Sequence, residues 1–212
     1  MKAKKILFYC LAALLGGCFP ILSLQPLATK DTLTFDEQLL GTWADDANDP
    51  DSTWQFARVE QAEAEYLPDS LKADYEKVYR LRLRDEEDRT GSFIAALVKL
   101  DGKRFLDVFP DAFPSGQQNV EEVKHFYNAF FFVPGHTFIK IDVLDAKLTL
   151  RLTNDDALQK LIDADPNAIT GAEVEGRIIL TARTKDLQAF VIKYADDERV
   201  FADEVILQRK RQ

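Results

Sequence analysis

The sequence predicts a mainly β chain: an antiparallel barrel or strongly curved sheet of about eight or nine short strands, with two helices late in the chain. Three observations carry this. Apolar and polar residues alternate with period two in several segments, tight-turn signals separate those segments at even intervals, and helical spacing begins only after residue 153. An open antiparallel α+β sheet is the alternative arrangement of the same elements.

Tyr79–Arg84 (YRLRLR) is the cleanest segment. Tyr79, Leu81 and Leu83 share one face and Arg80, Arg82 and Arg84 the other, the pattern of a strand with one face buried and one in water. Thr53–Val59 alternates in the same way around Trp54 and Phe56. Ser92–Leu100 runs into Asp101-Gly102, a two-residue hairpin signal, and Lys103–Phe109 returns. Asn128–Val133, His136–Leu144 and Ala146–Thr153 continue the strand pattern, with a Pro110–Lys124 loop before them. Asn154–Asp165 opens with a cap residue and acids, and stops at Pro166, as a helix does. Arg177–Ala182 is a strand. Thr184–Asp197 places Leu187, Phe190, Val191 and Tyr194 at helical spacing, with Thr184 as its N-cap, and Glu204–Lys210 closes as a strand.

The chain has 212 residues, 46% hydrophobic and 30% charged, enough for one domain with a real core. The net charge is -9. All three basic residues before position 18 (Lys2, Lys4, Lys5) would leave with a cleaved leader, taking the balance from 27 to 24 bases against 36 acids and the charge to -12. Such a surface argues against a nucleic-acid partner, whose phosphates need Lys and Arg. It also argues against docking on anionic lipid through charge.

The start reads as a leader, residues 1–17. Lys2, Lys4 and Lys5 precede an apolar run, Ile6–Leu15, that fits a signal-peptide core and is too short to span a bilayer. Leu15-Gly16-Gly17-Cys18 follows and resembles the lipobox of bacterial lipoproteins. That resemblance implies a diacylglycerol thioether on Cys18, cleavage before it, and acylation of the new amine, palmitate being a typical chain. Phe19, where an Asp favours inner-membrane retention, implies the outer membrane of a Gram-negative envelope. An ordinary secretory signal with an incidental cysteine, or an apolar first helix in a cytosolic chain, are the alternatives. Loss of Cys10 with the leader and acylation of Cys18 leave no thiol for a disulfide or a redox site. Residues 18–34 carry Pro20 and Pro26 without a period and read as a lipidated tether. Residues 35–212 form the single barrel-like domain.

Gly41-Thr42-Trp43 resembles the Gly-x-Trp signature on the first strand of lipocalins and fatty-acid-binding proteins. The resemblance extends to uncharacterised lipocalin-like bacterial proteins through the HTF strand at His136, the late LQAF helix and the closing strand. It implies a lipocalin-like barrel in which Trp43 closes one end beneath a basic side chain of the last strand, Arg209 or Arg211. It also implies one small ligand. Period two makes the pocket apolar and selects the residues to line it: Trp54, Tyr79, Leu81, Leu83 and Phe138. The second reading is a barrel filled by its own aromatics, whose surface docks a protein partner not named by the sequence.

Catalytic motifs are absent: there is no G-x-S-x-G, P-loop or G-x-G-x-x-G. The sequence therefore gives no catalytic residue, no metal site and no cofactor. His125 and His136 lack metal-ligand spacing and read as surface or turn residues. Asp49, Asp51, Thr53 and Glu60 fall at calcium-loop positions, but Trp54 stands where that loop needs Gly. The aromatic run His125–Phe132 reads as core, with a pocket wall or lipid-facing lip as its alternative.

Cys18→Ala is expected to abolish incorporation of labelled fatty acid and to release the chain from membranes or leave it unprocessed. Equal absence of label in the wild type rules the lipobox out.

Overall fold

The structure, a computed structural model, describes residues 21–45, 52–111, 133–144, 146–153, 155–174, 177–201 and 203–210. The leader, Cys18, His125 and the aromatic run to Phe132, Asp49, Asp51 and Arg211 lie outside the described residues.

In chain order the elements are β1 (Leu22–Ser23), β2 (Leu33–Thr34), β3 (Gly41–Ala44), β4 (Thr53–Arg58), α1 (Asp69–Lys72), β5 (Val78–Arg84), β6 (Thr90–Leu100), β7 (Lys103–Pro110), β8 (Thr137–Leu144), β9 (Lys147–Leu152), α2 (Asp155–Ala164), β10 (Gly171–Val174), β11 (Arg177–Leu180), α3 (Thr184–Tyr194) and β12 (Asp203–Arg209). Strands β3 to β9 pair antiparallel, each with the next. β12 then pairs with β9 on one side, from Asp203↔Leu152 to Gln208↔Lys147, and with β3 on the other, through Arg209↔Trp43. The result is a closed eight-strand antiparallel barrel, with β2 as an extra strand on β6. Closure settles the choice between barrel and open sheet. The Asp101-Gly102 turn takes φ of 47° and 77°, the left-handed pair that a two-residue hairpin needs.

Period two sorts the side chains into two cores. Trp43, Trp54, Phe56, Tyr79, Leu81, Leu97, Leu106, Ile141, Leu148 and Leu207 point into the barrel. The opposite face of β6, β7 and β8 is apolar as well, through Ile94, Val98, Phe105, Phe109 and Phe138. Leu158 of α2, Leu187, Phe190 and Val191 of α3, and Phe201 cover it from outside. The segment between β9 and β12 is thus an outer layer laid over one side of the barrel.

Residues 21–34 correct the tether expectation. Ile21, Leu27, Ala28 and Leu33 are buried in the outer core, and two short strands form. The missing period had suggested free chain. A buried carboxylate on the barrel wall, Asp107, instead holds the middle of this segment. Its Oδ2 accepts from the backbone N–H groups of Leu27 at 2.7 Å and Ala28 at 3.0 Å. Its Oδ1 lies 2.7 Å from Nδ1 of His136. His136 is therefore a largely buried partner of Asp107, not a surface or turn residue.

Other differences are local. Thr184 is the first residue of α3 and Arg183 its N-cap, because the Thr184 hydroxyl donates to Pro26 O at 2.8 Å. Gln188 adds a bond to Leu27 O, so α3 also grips the N-terminal segment. Strands β1, β2 and β10 and the short helix α1 went unrecognised in the sequence, since two to four residues are too few to show a period.

Asp107→Ala leaves two buried amides and a histidine unpaired, and is expected to cost roughly 3–5 kcal/mol in urea melts. Limited proteolysis should then cut within residues 21–34 before the barrel. Unchanged stability and protection would show that the carboxylate holds nothing.

Candidate functional site

The barrel interior and its closed end form the site that the sequence singles out. Leu39 and Leu40 lead into β3, whose Gly41 has φ of +117°, outside the range of ordinary residues. A Cβ there would stand 2.8 Å from Nη1 of Arg209. The Gly of Gly-x-Trp is thus needed twice, for backbone conformation and for the arginine.

Trp43 is completely buried, and its Nε1 donates to Leu39 O at 2.8 Å. The Arg209 guanidinium sits 4.3 Å from the centre of its ring, donates from Nη1 to Leu40 O at 2.6 Å, and from Nη2 to Gln38 O. One side chain from the last strand therefore covers the first strand's Trp and holds the carbonyls of the segment entering it.

The rest of this end is polar at its edge. Tyr79 on β5 exchanges hydrogen bonds with the backbone of Asp36: its hydroxyl accepts from the N–H at 2.6 Å and donates to the carbonyl at 3.0 Å. Burial pushes the Tyr79 phenol up to about 12, so it stays protonated and keeps this pairing. Arg104 on β7 donates to the Asp36 carboxylate at 2.9 Å. Phe35 stacks on Tyr79 at 4.7 Å, and Phe56 meets it edge-on at 6.1 Å. Residues 35–40 thereby seal one mouth of the barrel.

The five apolar residues expected to line a ligand do not form one set. Trp54, Tyr79 and Leu81 are inside the barrel and buried, and Leu83 is partly buried against them. Phe138 points outward into the other core, beneath the outer layer. Of the residues closing the barrel end, Trp43 and Arg209 were read in the sequence. Asp36, Leu39 and Arg104 were not, and neither was Asp107. A signal for Asp107 existed: Leu106 and Val108 are apolar on one face of β7, Phe105 and Phe109 on the other, so the acid between them is on a strand buried on both sides.

Two kinds of chemistry find no support in this geometry. Among the described residues no group of three or more His, Cys, Asp or Glu side chains could hold a metal ion. No helix among them is long and apolar enough to cross a membrane. The barrel itself is apolar inside, while Gln55, Arg82, Glu204 and Gln208 stand exposed on its outside. That is the reverse of a membrane-spanning barrel, which turns its apolar face to lipid.

Trp43→Ala is expected to cost about 3–5 kcal/mol in urea melts, the range for deleting a core aromatic. Arg209→Met keeps the length but leaves two carbonyls unpaired, and should cost roughly 1–3 kcal/mol. A loss below about 1 kcal/mol for Trp43→Ala would detach the Gly-x-Trp segment from any role in closing the barrel.

No family model matches this chain, and neither a curated protein nor a solved structure does.

Proposed function

We propose that this chain is an envelope lipoprotein, anchored through Cys18, whose lipocalin-like barrel is a packed scaffold working through its outer surface and not a ligand carrier. The observation that carries the scaffold reading is the burial of the barrel interior. An eight-strand barrel is just wide enough either to be filled by side chains or to hold one small ligand. A cavity large enough for even one water would leave accessible surface on the side chains around it. Trp43, Tyr79, Leu81, Leu106, Leu148, Leu150 and Leu207 have none, and the inward Trp54, Ile139, Val108, Val205 and Leu152 keep between 3% and 9%. The anchor rests on Leu15-Gly16-Gly17-Cys18 behind the basic start. Two or more acyl chains would hold the protein stably at a membrane despite its charge of the wrong sign.

The two roles separate in one pair of measurements. Native mass spectrometry of protein extracted from its own membrane should show the chain with its acyl groups and no further small molecule. Titration with fatty acids and an apolar dye, followed by the fluorescence of Trp43 and Trp54, should give no saturable signal. A saturable signal that Leu81→Trp abolishes would restore the carrier reading.

A further inference from the structure

β1, β11 and β10 form a small three-stranded sheet outside the barrel. β1 runs parallel to β11, with Leu22 beside Ile179 and Ser23 beside Leu180, and β10 runs antiparallel to β11. Residues paired across a sheet share a face. Ser23 and Leu180 are buried, so their face is the inner one, and Ile178 packs on the outer core of the protein from the same side. The other face carries Leu22 and Ile179, then Ala172 opposite Ile179, and Val174 opposite Arg177.

This outer face is apolar, and it is open along β10: Ala172 is exposed and Val174 49% so, while Leu22 and Ile179 are half-buried. The sheet is continued by an antiparallel bridge from Ser23 to His136, which brings Gly135 against Leu22. Among the described residues of the three strands, no acid stands on this face. Arg177 is the charged side chain on it, and Glu173 belongs to the opposite face.

The chain outside this sheet identifies what covers it. Only Phe19 and Pro20 separate Cys18 from Ile21, which is already buried. Three residue steps reach at most about 11 Å. β1 is parallel to β11, so the chain enters the sheet from the end where Val174 pairs with Arg177. With the anchor on Cys18, the lipid is tied within about 11 Å of Ile21, near the end where the chain enters this sheet.

We infer that the outer face of the β1–β11–β10 sheet is a membrane-seating surface, laid on the lipid bilayer beside the acylated Cys18. The inference rests on the lipoprotein reading above. It assigns the barrel a fixed orientation: the small sheet down, and β4, four strands away from β8 around the eight-strand ring, facing away from the lipid. Apolar contact is the attraction open to so acidic a protein, since anionic headgroups repel its net charge.

The test uses the full acylated chain in vesicles of phosphatidylethanolamine and phosphatidylglycerol containing doxyl-labelled lipid. Once Cys18 is acylated, a cysteine introduced by Val174→Cys or Gln55→Cys is the single thiol, and takes an environment-sensitive fluorophore. Lipid quenching at position 174 should exceed that at position 55 several-fold. Equal quenching at both, or none at position 174, overturns the inference, including where a second copy or another protein shields the face. Fatty-acid label on the same sample separates the two failures. An acylated chain without quenching sinks only the seating surface. An unlabelled chain sinks the lipoprotein reading beneath it.

Discussion

Closure of the barrel depends on one strand with two neighbours. β12 is the last element of the chain, yet it completes the ladder of β9 and that of β3. Until it docks, β3 and β9 are open edges, with unpaired backbone groups that invite association with other chains. The contact with β3 is short, extending over Gln208 and Arg209. Arg209 reinforces it through its side chain, covering Trp43 and taking the carbonyls of Gln38 and Leu40. A cation lying on an indole adds roughly 0.5–2 kcal/mol, depending on how far it is desolvated. Hydrogen bonds from a charged donor add about 1.5–3 kcal/mol each. The first and last strands are therefore locked by side-chain chemistry where the backbone ladder is briefest. That also explains why position 41 must be glycine, since any side chain there would displace the guanidinium.

The barrel wall then serves two cores. Its inner face is filled by the Trp, Phe, Tyr and Leu side chains, and the outer face of β6 to β8 is covered by the N-terminal segment, α2 and α3. Burying both faces of the same strands raises the apolar area removed from water without lengthening the chain, at roughly 25 cal/mol per Å². This suits the proposed lipoprotein, in which leader cleavage and acylation of Cys18 would leave no cysteine pair for a disulfide. On the shared wall of β6 to β8 this arrangement has an electrostatic cost, the buried Asp107. The structure meets it with three donors, of which two are backbone amides of the segment to be held. The carboxylate thus turns an otherwise unpatterned stretch of chain into a fixed part of the fold.

That stretch shows where the sequence stops being legible. The strands of the barrel were readable because each buries one face, or has charges such as Arg80, Arg82 and Arg84 marking the other. The Asp101-Gly102 turn and both late helices carried their own local signals. Trp43 and Arg209 were readable through a short motif and the position of the last strand. Residues 21–34 were not, because their order comes from a tertiary contact with Asp107, about 80 positions later in the chain. Phe138 was misplaced for another reason. Alternation sets Ile139, Ile141 and Val143 on one face of β8, and Phe138 on the other with Lys140 and the exposed Asp142. The inward face was legible, and the aromatic was read apart from its two charged neighbours.

On the scaffold reading the search for activity moves to the outside, and the outside is not uniform. Around β4 and β5 it is polar, with Arg80 tied to Glu63 and Asp111, and Gln55 and Arg82 in water. On the opposite side the insertion between β9 and β12 builds an outer layer, and the N-terminal segment threads through it as β1. Both ends of that segment are held: Ser23 to His136 through the backbone, Leu27 and Ala28 to Asp107. A flexible leash would have let the barrel sample every orientation above a membrane. A segment pinned from Ile21 onward cannot do so. Its β1 strand is at once the edge of the small sheet and the route by which any anchor at Cys18 reaches the domain. The same hydrogen bonds that stabilise the fold therefore fix which side of the barrel is nearest the point of attachment.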